Sequence, residues 1–382
     1  MKIVVAIDSF KGSLTSLQAG SAAAEGIARV YPQANVAVFP IADGGEGTVI
    51  ALTTALNGKL QTVEALDPLG RPIQCEYGIV GETAVIEMSC AAGITLLTPQ
   101  ERDPMRTTTY GVGQVIADAI FKGCRDFIVG IGGSATNDGG IGMLQALGFG
   151  ILDETGAQVP LGGAGLEKIT SITTENALPE LSECTFRIAC DVTNPLCGEL
   201  GCSAVYGPQK GATPEQIPQM DGWLNSYADK VKAVFPESDK NMPGAGAAGG
   251  IGFAFFSFLN GKPYSGIDLI LGELRIEDKI KDADLVITGE GRLDAQTVMG
   301  KAPIGIARIA KKYNKPVIAF SGCVTPETGV CNDHGIDAFF PIVKCACTIE
   351  QAMATENAYP NMADTAEQAF RLLKMAKELH YE

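Results

Sequence analysis

Histidine is nearly missing from this sequence. The 382-residue chain has two, His334 and His380. A Ser-His-Asp triad or a His-rich zinc site would have to be built on His334, and neither G-x-S-x-G nor H-E-x-x-H accompanies it. Acid–base chemistry therefore falls to carboxylates or lysines. Long hydrophobic runs are missing too: no segment has eighteen consecutive apolar residues, so no membrane span is expected. The opening M-K-I-V-V-A-I-D is too short for a signal peptide and is broken at once by Asp8. Basic runs are absent and the formal net charge is −15, which argues against a nucleic-acid partner. An anionic ligand would have to be held locally, by backbone N–H groups, helix N-termini and a few Lys or Arg. No C-x-x-C occurs among the eleven cysteines; Cys345-x-Cys347 and Cys197-x4-Cys202 come nearest. An odd count without a secretory signal reads as free thiols in a cytoplasmic protein, most of them small buried hydrophobes. The Walker A string G-x-x-x-x-G-K-[ST] is also absent, so any nucleotide is not held in the P-loop manner.

What is present describes an ordinary globular chain, 46% hydrophobic and 19% charged, long enough for two cores. The 46 glycines are scattered in short loops without a period, which excludes collagen and low-complexity readings. Residues 2–8 read as a buried parallel strand, 15–31 as a helix and 35–41 as a second strand. A-D-G-G-E-G-T then opens a helix to about Leu56, giving the β-α-β-α start of an open parallel sheet. After the turn D-P-L-G-R-P at 67–72, I-Q-C-E-Y-G-I-V and A-V-I-E-M-S-C look like an antiparallel hairpin. A helix at about 111–122 precedes a strand, a glycine-rich loop and a short helix. Residues 185–193 form a further strand, and helices are expected near 213–235, 247–259 and 271–281. From 284 the first pattern returns: D-L-V-I-T as a strand, G-E-G-R-L-D as a loop, a helix, the strand K-P-V-I-A-F-S-G, a last strand near 337–343 and a terminal helix at 363–379. No internal repeat is visible. The expected fold class is α/β with two α/β domains. Residues 1–65 and 284–382 form a discontinuous, mostly parallel open-sheet domain, and residues 66–283 form an inserted mixed α/β domain. The expected active site lies in the cleft between them.

Ligands of open α/β sheets bind beyond the carboxyl ends of the strands. The loops at those ends carry Asp8, Ser9 and Lys11; Asp43 and Glu46; G-I-G-G-S-A-T-N-D-G-G at 130–140; Asp191 and Asn194; and Glu290, Arg292 and Asp294. Any one of these acids could simply cap a helix or close a turn. Five such loops together suit phosphoryl transfer, where positioning, a metal and anion cradles supply most of the catalysis.

Two strings formally match dinucleotide fingerprints. Gly244-Ala-Gly246-Ala-Ala-Gly249 follows polar S-D-K-N-M-P and not a strand, so its context fails. Gly130-Ile-Gly132-Gly-Ser-Ala135 follows a strand, but T-N-D-G-G delays the helix. The ribose-binding acid would fall at Asp153 or Glu154, inside D-E-T-G, which looks like a hairpin turn. A nicotinamide-dependent dehydrogenase is therefore one alternative reading. A non-catalytic small-acid binding protein is another, although so many carboxylates do not suit an anion sensor.

Taken in order, A-I-D-S-F-K-G-S-L, A-D-G-G-E-G-T, D-P-L-G-R-P, G-I-G-G-S-A-T-N-D-G-G, D-V-T-N-P-L-C-G, G-A-G-A-A-G-G-I-G and T-G-E-G-R-L-D-A-Q-T resemble the bacterial class I glycerate kinases from one end of the chain to the other. The resemblance implies ATP- and Mg²⁺-dependent phosphorylation of D-glycerate in glyoxylate or sugar-acid metabolism. Bacterial relatives favour 2-phosphoglycerate over 3-phosphoglycerate. It also implies one flavodoxin-like domain and one likened to restriction endonucleases. The expected protein is a cytoplasmic monomer or homodimer with a small-molecule substrate and a nucleotide.

The roles are assigned on physical grounds. Glycerate has a carboxylate and two hydroxyls, so its pocket needs a cation and hydrogen-bonding groups. Lys11 and Arg71 are candidates for the carboxylate, with Ser9, Asn194 and Arg292 as further substrate contacts. Gly132, Gly133, Ser134, Asn137 and Asp138 are expected at the ATP phosphates, with Asn137 or Asp138 able to cap the next helix. Asp43 and Glu290 are candidates for the Mg²⁺ shell. Asp191 is the first choice for the base that orients the glycerate hydroxyl, with Asp8 and Asp294 as close competitors.

Overall fold

Thirteen strands run through residues 1–379, the part of the chain that the computed structural model describes; His380 lies outside it. They are β1 (Lys2–Ile7), β2 (Asn35–Val38), β3 (Lys59–Leu66), β4 (Pro72–Val80), β5 (Thr83–Glu87), β6 (Asp126–Gly130), β7 (Gly150–Leu152), β8 (Ser171–Thr173), β9 (Thr185–Ala189), β10 (Lys262–Tyr264), β11 (Leu285–Leu293), β12 (Val317–Val324) and β13 (Ala338–Pro341). The chain divides into two units. The first contains Met1–Asp43, Thr54–Leu56 and the residues from Ile267 on; the second contains Gly44–Thr53 and Asn57–Gly266. The sequence reading places the divisions near 65 and 283. Observed β3 pairs with β4 along its whole length, from Lys59↔Ile79 to Leu66↔Pro72, and so belongs to the second unit. The helix Ile276–Lys281 is tied to the helix Ala302–Lys312 through Lys312 and Glu277 and belongs to the first.

The first unit is a five-stranded sheet in the order β13-β12-β11-β1-β2, with every pair parallel. Counted within this unit, that is the 2-1-3-4-5 order of flavodoxin-like folds. Its centre is apolar for a simple reason: K-I-V-V-A-I is buried from Ile3 to Ile7, as a strand covered on both faces must be. The helix Ser16–Val30 starts at a capping box, in which Thr15 accepts from the Gln18 N–H and Gln18 from the Thr15 N–H. Its small residues Ala19, Ala22, Ala23 and Gly26 let it lie close to the long helix Thr355–Leu379. A Cβ on Gly26 would stand 2.0 Å from the carbonyl oxygen of Ala363.

The sheet of the second unit runs β10-β9-β6-β5-β4-β3. It is parallel from β10 to β5 and antiparallel from β5 to β3. Phe127 of β6 stacks on Phe186 of β9 with ring centroids 4.7 Å apart, which stiffens the strand that ends in the glycine-rich loop. β7 and β8 form a separate antiparallel pair. Asp153 and Glu154 lie in the turn after β7, where Asp153 accepts from the N–H groups of Thr155 and Ala157. This is the hairpin-turn role, and it leaves the ribose-binding role without an acid.

Two elements depart from expectation. Strand β11 does not stop at residue 288: its pairing with β12 continues through Arg292↔Cys323 and Leu293↔Val324, so Glu290 and Arg292 sit on a strand and not in a loop. The helix Ala247–Phe258 has positive φ at Ala248, Gly249 and Gly250, so regular helix starts only after them. The cysteines are all free, as expected. Four are buried, and Cys323, Cys345 and Cys347 are exposed, so the thiols are less uniformly internal than the sequence suggested. No helix among the described residues is long and apolar enough to cross a membrane.

Candidate functional site

In the second unit the chain leaves β6 at Gly130 and turns through Ile131–Gly140 into the helix Ile141–Ala146. Two of its carbonyl and amide groups tie it to the preceding segment: the Ile94 N–H donates to the Gly133 oxygen at 2.9 Å and the Ala135 N–H to the Ala92 oxygen at 2.8 Å. The N–H groups of Gly132, Gly133 and Ser134 donate to no group among the described residues. Gly132 and Gly133 are exposed, and Gly133 has φ +73°, a conformation that side chains rarely adopt. Three successive free donors, two of them on exposed glycines, are the kind of group that suits an anion.

The remainder of the loop faces inward. Thr136, Asn137 and Asp138 are completely buried. Asn137 donates to Ser203 Oγ at 2.9 Å. Asp138 accepts from the Thr109 N–H at 2.8 Å, from its hydroxyl at 2.9 Å and from the Gly140 N–H at 3.1 Å. Burial nonetheless raises its carboxyl above the ordinary range. Its Oδ2 also accepts, at 3.4 Å, from the Gly142 N–H in the first turn of the helix, whose cap position is Gly140. Asn137 and Asp138, both expected at the phosphates, are thus buried and engaged within the second unit. G-A-G-A-A-G lies directly beneath: the Gly139 N–H donates to the Gly249 oxygen, and a Cβ on Gly249 would sit 1.9 Å from the Thr136 oxygen. Its glycines serve close packing, which explains a fingerprint without a preceding strand. Sequence reasoning missed Lys210. This side chain is 2% exposed, and its Nζ donates to Ser134 Oγ and to the Thr136 oxygen, both at 2.7 Å.

In the first unit the carboxyl ends of β1 and β11 are neighbours, and the strand order reverses between them. That is where a doubly wound sheet opens a crevice. Asp8 follows β1, its N–H donating to the Gly289 oxygen at 2.9 Å, and Glu290 is the next residue of β11. Asp8 is 4% exposed. Burial first, then the charge of Asp43, pushes its carboxyl up to about 7, against the pull of the Ser9 N–H and Lys11. Burial raises Glu290 as well; its carboxylate accepts from Thr297 Oγ1 at 2.7 Å and lies 3.6 Å from Lys301 Nζ. Asp294 accepts from the Gln296 N–H and lies 3.3 Å from Arg292 and 3.8 Å from Lys301. Lys11 is exposed and Ser9 half-buried. The first unit therefore gathers Asp8, Ser9, Lys11, Asp43, Glu290, Arg292 and Asp294 around one end of its sheet. Among the described residues no three His, Cys, Asp or Glu side chains form a ready-made metal shell.

Other candidates are engaged elsewhere. Arg71 is held by Asp67 at 2.5 Å and Glu101 at 2.6 Å and closes the turn between β3 and β4. Asn194 donates to the Leu200 oxygen and accepts from Tyr206. Asp191 is exposed beyond β9, and its Oδ1 accepts from the Gly266 N–H at 2.9 Å. His334 is exposed, its Nδ1 donating to the Val330 oxygen. Glu46 is exposed in the loop whose following amide, that of Val49, donates to Glu87 at 2.8 Å.

The glycerate kinase family model matches residues 3–374. A glycerate kinase of Haemophilus influenzae is 46% identical over 375 residues, 98% of this chain and 99% of that one. The glycerate 2-kinase of Escherichia coli is 44% identical over 364 residues, 95% of each chain. A solved structure of a Salmonella typhimurium LT2 protein, provisionally named glycerate kinase 2, superposes with a TM-score of 0.90 at 44% identity, covering 99% of this chain and 100% of its own. The likeness spans both units, extends through the loop at 130–140 and leaves the dehydrogenase and sensor readings without support: the chain belongs to the glycerate kinase family.

Proposed function

We propose that the protein is a glycerate 2-kinase, which moves the γ-phosphoryl group of ATP to the C2 hydroxyl of D-glycerate. The observation that carries this reading is the near full-length identity to a protein named glycerate 2-kinase. The free N–H groups of Gly132, Gly133 and Ser134 support it, since an acidic chain without a Walker A loop needs neutral donors for a polyphosphate. They take the ATP phosphates in this proposal. Lys11 and Arg292, the exposed cations at the end of the first sheet, meet the glycerate carboxylate together with Ser9. Arg71 keeps its two carboxylates.

The base that orients the glycerate hydroxyl is Asp8. It is buried at the topological switch point and raised to about 7, close to the pH at which it would work. Asp191, exposed and held by a backbone amide, is second to it. Asp43 and Glu290 suit a divalent cation: both add to the negative charge around Asp8. Mg²⁺ is commonly held by one or two carboxylates plus phosphate oxygens and water, and Asp43 and Glu290 would be those carboxylates. When bound, it would neutralise charge on the phosphates; the residues of the chain position both substrates.

The test is release of ADP from ATP on addition of D-glycerate, with Gly132→Val as a site probe. Gly132 has no positive φ, and a Cβ there would meet its nearest atom only at 3.7 Å, so the backbone at this position admits a side chain. ATP affinity measured by calorimetry is expected to fall at least tenfold, about 1.4 kcal/mol, with the melting temperature unchanged. Normal ATP affinity in the folded variant would remove the cradle.

A further inference from the structure

Lys210 lies outside every role assigned so far. A buried ammonium is costly unless nearby charge or hydrogen bonds compensate it. The two groups that receive its protons, a serine hydroxyl and a backbone carbonyl, are both neutral. No ion pair engages it among the described residues. The ionisable groups that act on it are Asp138, which already accepts from five donors, and Cys202 of the helix Cys202–Tyr206. Its charge is thus placed beneath the turn whose three amides are free, and that charge is not cancelled there.

The hydroxyl of Ser134 has one proton to give and lone pairs to accept with. Because it accepts from Lys210, its own proton must point elsewhere, and an ammonium donor makes that proton a stronger one. We propose that Lys210 is a positioning residue for the nucleotide phosphate, acting through Ser134: it turns the Ser134 hydroxyl outward and, by donating an ammonium proton to it, makes that hydroxyl a stronger donor to the phosphate. The inference rests on the reading of Gly132–Ser134 as the phosphate site. A purely structural Lys210, tying Ser134 to Thr136, would leave ligand affinity alone once the protein is folded.

The experiment is a double-mutant cycle read by calorimetry with ATP, on the wild type, Lys210→Met, Ser134→Ala and the double variant. Each single change is expected to weaken ATP at least tenfold, and the double variant to be no more than about threefold worse than the weaker single. KM for ATP should rise while KM for glycerate stays within about twofold. A folded Lys210→Met with ATP affinity within twofold of wild type overturns the inference, as does a double variant whose losses multiply. If Lys210→Met does not fold, pH replaces it. Burial pulls Lys210 down to about 8 and pushes Cys202 up to about 11, so of these two Lys210 loses its proton first, over about pH 7 to 9. Wild-type ATP affinity should fall over that interval and that of Ser134→Ala should not; parallel profiles overturn the inference. Gly132→Val separates the layers: if it weakens ATP and the Lys210 and Ser134 changes do not, this inference alone fails, and if it too has no effect, the phosphate site itself fails.

Discussion

Asp8, the proposed base, shows most clearly what burying a single carboxyl costs. Its carboxyl is buried beside Asp43 and Glu290, and its proton is held to about 7 against an ordinary value of 3.8. In the unfolded chain it ionises freely above about pH 4. The contribution of this group to stability is therefore fully present below that pH and is lost as pH rises through 7. Asn is a neutral isostere that still accepts from the Ser9 N–H. Asp8→Asn is expected to match the wild type in stability near pH 4 and to be more stable by about 2 kcal/mol at pH 8 in metal-free buffer. Chemical denaturation at the two pH values checks this. The same variant should lose about 10²- to 10⁴-fold in kcat, while Asp191→Asn loses less than tenfold. The reverse order of the two variants would return the base to Asp191. Asp191 and Asp8 could not be told apart in the sequence, because both follow an apolar strand. Burial and the strand neighbour, which no local pattern encodes, separate them.

At the scale of elements, glycines decide which surfaces touch. Gly249 and Gly26 are matched in severity, with a Cβ 1.9 Å from the Thr136 oxygen in one and 2.0 Å from the Ala363 oxygen in the other. Gly249 also has φ +72°. Each Ala substitution should cost on the order of 2–3 kcal/mol, since backbone must move in both. Their functional effects should differ. Gly249→Ala displaces the loop held by Lys210 and is expected to raise KM for ATP at least fivefold. Gly26→Ala only parts two helices of the first unit and is expected to leave KM for ATP within twofold. Thermal melts and steady-state kinetics on the same preparations test the contrast. The parallel strands, the hairpin and the helix-opening loops were legible, because burial on two faces and Gly-Gly turns leave local marks. Strand β3 was not: K-L-Q-T-V-E-A-L has one apolar face, and its assignment comes from pairing with β4. The end of β11 was misread because G-E-G-R carries the composition of a loop, while a Cβ on Gly289 would meet the Phe320 oxygen at 2.0 Å, so close pairing requires glycine there. Lys210 gave no signal, since G-P-Q-K-G looks like a surface turn and its lysine is buried only by tertiary packing.

For the molecule as a whole, the proposed phosphate donors and the proposed catalytic carboxylates lie in separate stretches of the sequence and in separate units. Gly132–Ser134 and Lys210 belong to the second; Asp8, Lys11, Asp43, Glu290 and Arg292 belong to the first. Phosphoryl transfer requires a nucleotide and an acceptor hydroxyl in line. The central claim is that this chain joins them at C2 of D-glycerate. The most direct measurement is a phosphorus and proton NMR spectrum of the product formed from ATP, Mg²⁺ and D-glycerate. The account predicts a phosphate ester coupled to the single methine proton at C2, with ADP formed in equal amount. Coupling to the two methylene protons at C3, or ADP without any new ester, would contradict it.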